Sequence, residues 1–515
     1  MASPAEKLAQ SLEELKAFQN DQGFAVIKSS DLSRTHLHRL VSNGFLIKVI
    51  KGWYLSDSPD AEPGSTTTWY TSFWYFISVY LSHRFGESWC LSPEQSMQLH
   101  SGNRVVPGQL LVRSPKGSNN RTDLLHGTSM FDVKLDLPPK DEMVVINGIN
   151  VYSPASTIIN IGEDTYERKT IDARTCLYSI HDSSEILSIL LDGGYTVKAG
   201  RVAGAFRNIG KSTISDEILS AMKSAGYDVR EFDPFKEKMR ANLPSVQISP
   251  FANRIRLMWN EMRPSVIDNF PAAKSSQPDT EDILARIDEK YVSDAYHSLS
   301  IEGYKVTEEI IERVRSGNWD PEGNEGDKKA KDALAARGYW MCFQKVRKGI
   351  AEVLGGENSG EVAAKRHGEW YRELFSPGVS AGILKPSDLA GYRNAQVFIS
   401  GSKHTPPGKE PVRDAMPVLF ELLSREENAA VRAILGHFIF VYIHPYMDGN
   451  GRIARFLMNL MFVTGGYPWL IIPVDRRDEY MLALESASVN HDISEFTQFI
   501  AELMDQEQVR KYEVT

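Results

Sequence analysis

Residues 444 to 455 read His-Pro-Tyr-Met-Asp-Gly-Asn-Gly-Arg-Ile-Ala-Arg. An imidazole, His444, precedes a carboxylate, Asp448. Gly449-Asn450-Gly451 follows, and then Arg452 and Arg455. Before this run, AVRAILGHFIFVYI (430–443) is apolar nearly all round, as in a helix buried on every face. After it, Ile453, Phe456, Leu457, Leu460 and Met461 recur at helical steps, the mark of an amphipathic helix. The two glycines break the chain between them. The run therefore reads as a loop feeding a helix N-terminus, where unpaired N–H groups and the helix dipole favour an anion. Glycines let the backbone approach phosphate oxygens closely and form a nest of amides. Arg452 and Arg455 share one helix face. Taken singly, the histidine reads as a helix cap, Asp-Gly as a turn and the arginines as a solvated face. Together they supply a base, a metal ligand, a phosphate cradle and a cationic clamp, the parts of a nucleotide-transfer site.

The run resembles the Fic signature, His-Pro-Phe-x-(Asp/Glu)-Gly-Asn-Gly-Arg-x-x-Arg, with Tyr446 in place of phenylalanine. The similarity extends over roughly residues 285 to 500. The resemblance implies transfer of AMP from ATP to a protein hydroxyl of Ser, Thr or Tyr. By position, His444 would take the hydroxyl proton and Asp448 would hold Mg²⁺. Gly449, Asn450 and Gly451 would form the anion hole. Arg452 would bind the β-phosphate region and Arg455 the γ-phosphate. Glycine rather than lysine at 451 favours AMP transfer over the kinase-like branch of the family. An imidazole with an ordinary pKa of about 6.5 suits a base at neutral pH. Asp448 is a hard oxygen ligand of the kind Mg²⁺ accepts. Tyr446 should fill an apolar slot, and its hydroxyl then needs a partner.

Upstream, Ser298-x-x-x-Glu302-Gly303 is similar to the family's inhibitory motif, (Ser/Thr)-x-x-x-Glu-(Gly/Asn). Its bland reading is a surface glutamate on a helix capped by glycine. The resemblance implies that Glu302 pairs with Arg455 and occupies the place of the γ-phosphate. In some relatives the same glutamate serves as base for removing AMP, so the direction of reaction stays open. LAGYRNAQVFISGSKHTPP (389–407) resembles the family's flap. Val397, Phe398 and Ile399 form a short β-prone run, so a hairpin is expected, of the kind that pairs with a target segment by strand addition. Arg477, Tyr480 and Leu484 lie at helical spacing, and Tyr480 either touches the base or packs.

The front of the chain reads differently. Leu12, Leu15 and Phe18 suggest a helix, and Ser33-Arg34-Thr35-His36 carries a helix start. Asn43-Gly44 stops that helix, and FLIKVIKGWYL (45–55) reads as a hairpin turning at Lys51-Gly52. Helix, helix and hairpin make a winged helix-turn-helix, similar to that of the abortive-infection type IV antitoxins, which act as transcriptional regulators. By position Arg34, Thr35, His36, His38 and Arg39 would face the major groove, with Lys48 and Lys51 on phosphate. The other reading is a winged helix used only for protein contacts. Asn208-Ile209-Gly210-Lys211-Ser212 mimics a phosphate loop, but Gly204 lies one position too far upstream, and it is read as a decoy.

The expected architecture is multidomain. It comprises a winged helix-turn-helix (1–58), an α/β region (59–262), a linker (263–282), an inhibitory helix region (283–324) and a mostly α-helical Fic domain with a β-hairpin flap (325–515). A length of 515 residues accommodates two or three domains. Net charge of −9 argues against wholesale coating of nucleic acid while allowing a local basic face. Cys90, Cys176 and Cys342 are too few and too scattered for a disulfide framework or zinc site. The start MASPAEKLAQ lacks a signal-peptide core. WYTSFWYFISVYL (69–81) is too short to span a bilayer and reads as a buried helix. A cytoplasmic protein is expected, using ATP and Mg²⁺, with a protein substrate and itself as targets. Duplex DNA and a homo-oligomer are further partners compatible with this reading. The alternative function is a DNA-binding regulator whose Fic half mainly modifies itself or removes AMP.

Overall fold

The computed structural model describes residues 3–21, 23–59, 65–239, 249–273, 279–317 and 331–513. The chain divides into two compact units, residues 1–254 with 396–406, and residues 255–395 with 407–515.

The first unit opens with α1 (Pro4–Lys16), started by a capping box between Ser3 and Glu6. Next come β1 (Val26–Lys28), α2 (Arg34–Ser42), β2 (Leu46–Ile50) and β3 (Trp53–Ser56). The Ser33 hydroxyl caps α2 by accepting from the His36 N–H at 3.2 Å. Gly52, at φ +80°, turns the chain between β2 and β3, where a side chain would be strained. The strands form an antiparallel sheet in the order β1-β3-β2. Leu15, Ile27, Leu40 and Leu46 close a small core under it.

The rest of this unit mixes helix and strand. The aromatic-rich α3 (Thr67–Phe85) buries Trp69, Phe73 and Phe76, in keeping with an apolar stretch too short for a membrane. After it come β4 (Cys90–Leu91), α4 (Pro93–His100), β5 (Gln109–Ser114), β6 (Asn120–Asp123) and β7 (Ser129–Lys134). These strands order β4-β5-β7-β6, with β5 and β7 parallel. A separate hairpin joins β8 (Met143–Ile146) to β9 (Ile149–Tyr152). Six helices follow between residues 154 and 224 and pack around Ile158, Leu177, Val202 and Phe206. Here Lys211 of the phosphate-loop look-alike donates to the carbonyls of Tyr178 and Ile180. Its ammonium serves the protein's own carbonyls, in keeping with a decoy.

Among the described residues the second unit contains helices and no strand. Labelled onward from the ten helices of residues 4–224, its main elements are α11 (Pro250–Asn269), which the unit boundary crosses, α12 (Thr280–Ile301), α13 (Glu308–Arg315), α14 (Lys331–Leu354), α15 (Ser359–Ser380), α16 (Lys409–Arg425), α17 (Ala429–Ile443), α18 (Asn450–Thr464), α19 (Arg477–Asn490) and α20 (Ser494–Glu513). Gly338 of α14 lies against the Leu374 backbone of α15, where a Cβ would collide with the Leu374 carbonyl. The missing side chain is what lets these two helices approach. α17 and α18 form the centre, with Phe438, Ile439, Phe456 and Leu460 fully buried.

Two expectations are corrected. Residues 263–269 are not linker; they continue α11 through Pro264. Of the remaining expected linker, 280–282 begin α12 and 274–278 lie outside the described residues, as do 318–324 of the expected inhibitory region and 325–330 of the expected Fic domain. Nor do Val397, Phe398 and Ile399 form a hairpin: residues 391–408 contain no strand. Pro406 and Pro407 remove the donors a returning strand needs. The polar groups of the segment go elsewhere within its unit. The Gly401 N–H donates to the Thr67 hydroxyl, and the Lys403 carbonyl accepts from the Val106 N–H at 3.1 Å.

Candidate active site

The twelve-residue run lies between α17 and α18, as a loop entering a helix. His444 ends α17 in the left-handed conformation, at φ +53° and ψ +62°. For a residue with a side chain this costs on the order of 1–2 kcal/mol, so the surroundings must hold it. Gly449, at φ +78°, begins α18. No side chain caps that helix start, so the first-turn N–H groups are available to an acceptor. Asn450 closes the loop on itself: its side chain accepts from the Tyr446 N–H and donates to the Tyr446 carbonyl, both at 2.9 Å. Its amide group is thereby committed, leaving its backbone N–H for a ligand.

His444 Nδ1 lies 3.1 Å from the Val441 carbonyl. A carbonyl only accepts, so this contact assigns the proton to Nδ1 and the lone pair to Nε2. Loss of hydration lowers the imidazole pKa to about 4, with Arg393 acting in the same sense and the Val441 carbonyl, Glu302 and Asp448 opposing. The neutral ring can accept a proton at physiological pH.

Arg452 and Arg455 are buried to 1% and 4% exposure, too deep to be a solvated face. The Arg452 guanidinium sits between the rings of Tyr304 and Phe375, 5.2 and 5.1 Å from their centroids. Arg455 reaches α12. Its Nη2 lies 2.7 Å from Glu302 Oε1 and donates to the Ser298 carbonyl, while Nε donates to the Ser298 hydroxyl at 2.9 Å. Desolvation pushes the Glu302 carboxyl pKa up, but Arg455 and Arg452 outweigh it and hold it below the usual range. Gly303, at φ +84°, ends the helix, with the Tyr304 N–H returning to the Leu299 carbonyl. A Cβ at Gly451 would collide with Glu302 Oε1, so glycine there is what admits the carboxylate to the start of α18.

Asp448 keeps 63% of its side chain exposed, accepts from the Gly449 N–H at 2.5 Å and lies 3.5 Å from Arg452. A single open carboxylate beside an anion-ready helix start fits Mg²⁺, which retains waters and takes one or two carboxylates along with phosphate oxygens. Among the described residues no cluster of three or more His, Cys, Asp or Glu cages a metal. Tyr446 is fully buried and stacks on Tyr371 at 4.0 Å, so it does fill an apolar slot. Its hydroxyl has no protein partner among the described residues.

Several residues at the site carried no separate signal in the sequence. Arg393 gathers carbonyls around His444. Arg477, which the sequence marked only by its helical spacing, donates to the Ile301 carbonyl at the end of α12. Tyr304, Phe375 and Arg393 are single letters in unremarkable context, and only their convergence in space distinguishes them. Tyr480 is buried and bonds His437 at 2.8 Å, not His444. At the front of the chain, Arg34, Thr35, His38, Lys48 and Lys51 are exposed. His36 and Arg39 instead turn to α1: His36 Nδ1 and Arg39 Nη1 meet the Ser11 hydroxyl at 2.9 and 2.7 Å. They are structural contacts here, because Ser11 and the Lys7 carbonyl on α1 offer acceptors within reach.

Residues 366–462 match the family model described as Fic/DOC family. The chain is 28% identical over 248 residues to the protein adenylyltransferase Fic of Drosophila willistoni, covering 47% of this chain and 46% of that one. It is 29% identical over 273 residues to the protein of the same name from Drosophila grimshawi, covering 50% and 53%. The chain thus spans about half the length of the curated relatives it matches. Among solved structures, Fic-1 (residues 134–508) from C. elegans aligns at 17% identity with a TM-score of 0.37, covering 68% of this chain and 94% of that one. The segment from Arg366 to Phe462 that matches the Fic/DOC model holds the whole run from His444 to Arg455.

Proposed function

We propose that this protein transfers AMP from ATP to a Ser, Thr or Tyr hydroxyl of a protein, itself included, and that Glu302 restrains the reaction. The observation that carries the reading is the ion pair of Glu302 with Arg455 beside the uncapped start of α18 and the neutral base His444. The target oxygen attacks the α-phosphorus as Nε2 of His444 takes its proton, the α–β phosphoanhydride bond breaks, and pyrophosphate leaves. The first-turn N–H groups of α18 and the Arg452 and Arg455 guanidinium groups face the charge of the leaving group. Bound at Asp448, Mg²⁺ would add to that neutralisation. One guanidinium cannot serve the γ-phosphate and the Glu302 carboxylate fully at once, so the resting site holds ATP poorly aligned.

The test is self-modification with α-³²P-ATP and Mg²⁺. Glu302→Gly removes the competitor. If the pair biases the site by about 1.4 kcal/mol, labelling rises about tenfold. Equal labelling of both proteins removes the restraining role. No labelling by either, with any target protein, removes the transferase reading.

A second reading, duplex DNA as a partner, is supported by the exposure of Arg34, Thr35 and His38 on α2 and of Lys48 and Lys51 on the hairpin of a small antiparallel sheet. A regulator of this kind would use the Fic half mainly on itself.

A further inference from the structure

Arg393 is 1% exposed and, among the described residues, forms no ion pair with a carboxylate. A buried, unpaired guanidinium is costly unless its donors are satisfied. Here they are satisfied by main-chain carbonyls alone. Nε donates to the His444 carbonyl at 2.8 Å, Nη1 to the Ala395 carbonyl at 3.0 Å, and Nη2 to the carbonyls of Pro407 and Ile443. Its own N–H donates to the Pro445 carbonyl at 2.9 Å. One residue therefore holds the carbonyls of three successive residues, 443, 444 and 445, at the C-terminus of α17, where the helix dipole favours a cation. Those carbonyls belong to the turn in which His444 adopts its left-handed backbone. The same guanidinium also holds the residues on either side of segment 396–406.

We propose that Arg393 is a positioning residue for the AMP transfer: it fixes the strained His444 turn and, through Ala395 and Pro407, the base of the flap segment to the same point. The inference rests on the function proposed above. A guanidinium is suited to the task because its planar fork presents donors in fixed directions, which a lysine ammonium does not. The charge also lies close enough to His444 to disfavour its protonation, and so helps keep the base neutral.

The test uses the full chain with Glu302→Gly as parent, and adds Arg393→Met or Arg393→Lys. Three quantities are read: the single-turnover labelling rate at saturating ATP, the ATP concentration for half-maximal rate, and hydrogen exchange at the amides of His444, Tyr446 and Met447. Arg393→Met is expected to slow labelling about 100-fold, the scale of a misplaced reacting group. Half-saturation should move less than about threefold, because the α18 start and its arginines are untouched. Amide exchange in the turn should rise. Arg393→Lys, which keeps the charge and loses the fork, should recover part of the rate. The proposal is overturned if Arg393→Met labels within about twofold of its parent. It is equally overturned if rate and ATP binding collapse together with no recovery by lysine, which marks a general structural role. If the parent itself transfers no AMP, the functional reading fails, and hydrogen exchange decides alone: unchanged protection of the turn in Arg393→Met overturns the positioning role.

Discussion

At the scale of single residues the chemistry turns on one imidazole. His444→Ala should abolish labelling in the Glu302→Gly background while ATP still binds, because the α18 start, Arg452 and Arg455 stay in place. Equilibrium binding of ATP beside a labelling assay separates the two effects, and near-parental labelling would take His444 out of the mechanism. Its pKa makes a second prediction. A histidine lowered to about 4 loses its base function only when acid protonates it near that value, not near the ordinary 6.5. Removing Glu302, which opposes the lowering, moves the value in the same direction. The single-turnover rate of Glu302→Gly at saturating ATP should therefore stay level from pH 8 to about pH 6. A tenfold fall centred near 6.5 would show that the imidazole is not held neutral.

At the scale of elements, α12 and α18 are tied end to side. Glu302 and Ser298 bind Arg455 from one helix, and Arg477 of α19 donates to the Ile301 carbonyl at 2.8 Å, at the last turn of α12. A cation on the terminal carbonyls of a helix stabilises that end by about 0.3–1 kcal/mol. Arg477→Ala should loosen the end of α12 and raise basal self-labelling by up to about fivefold, less than Glu302→Gly does. In the double variant no further gain is expected, since Arg477 acts through Glu302. Additive gains would assign Arg477 a separate role. The flap segment shows the same dependence on neighbours. Its β-prone run Val397-Phe398-Ile399 would pair in a hairpin by composition, but prolines at 406 and 407, the Thr67 hydroxyl as acceptor and the Val106 N–H as donor leave it without a ladder.

At the scale of the whole molecule, two compact units invite separate tests. The front region exposes Arg34, His38, Lys48 and Lys51 to solvent, whereas Arg39 is engaged with α1. If that region binds duplex DNA, the full chain should shift promoter fragments from near its own gene at low salt. Binding should weaken as salt rises, in proportion to the phosphates engaged. Arg34→Ala with Lys48→Ala should weaken it further, while Arg39→Ala should act through stability. No shift of any fragment at low salt would leave a protein-contact role for this region.

The run from His444 to Arg455 was legible because its information is local. Glycine spacing, a helix-starting pattern and residues on one helix face are fixed by nearest neighbours along the chain. The helix-loop-helix around it, the buried α3 and the cap at Ser33 were legible for the same reason. The tertiary structure alone decided what depends on groups far apart in sequence. That Tyr304 and Phe375 enclose Arg452 and that Arg393 gathers the His444 turn both join separate helices or loops. So does the turning of His36 and Arg39 onto Ser11, which no periodicity of α2 distinguishes from exposure. The meeting of Glu302 with Arg455, by contrast, was expected through the resemblance of its motif and not from local pattern. Local pattern determines which face a residue occupies, whereas burial and partners are set by what the rest of the chain packs against that face.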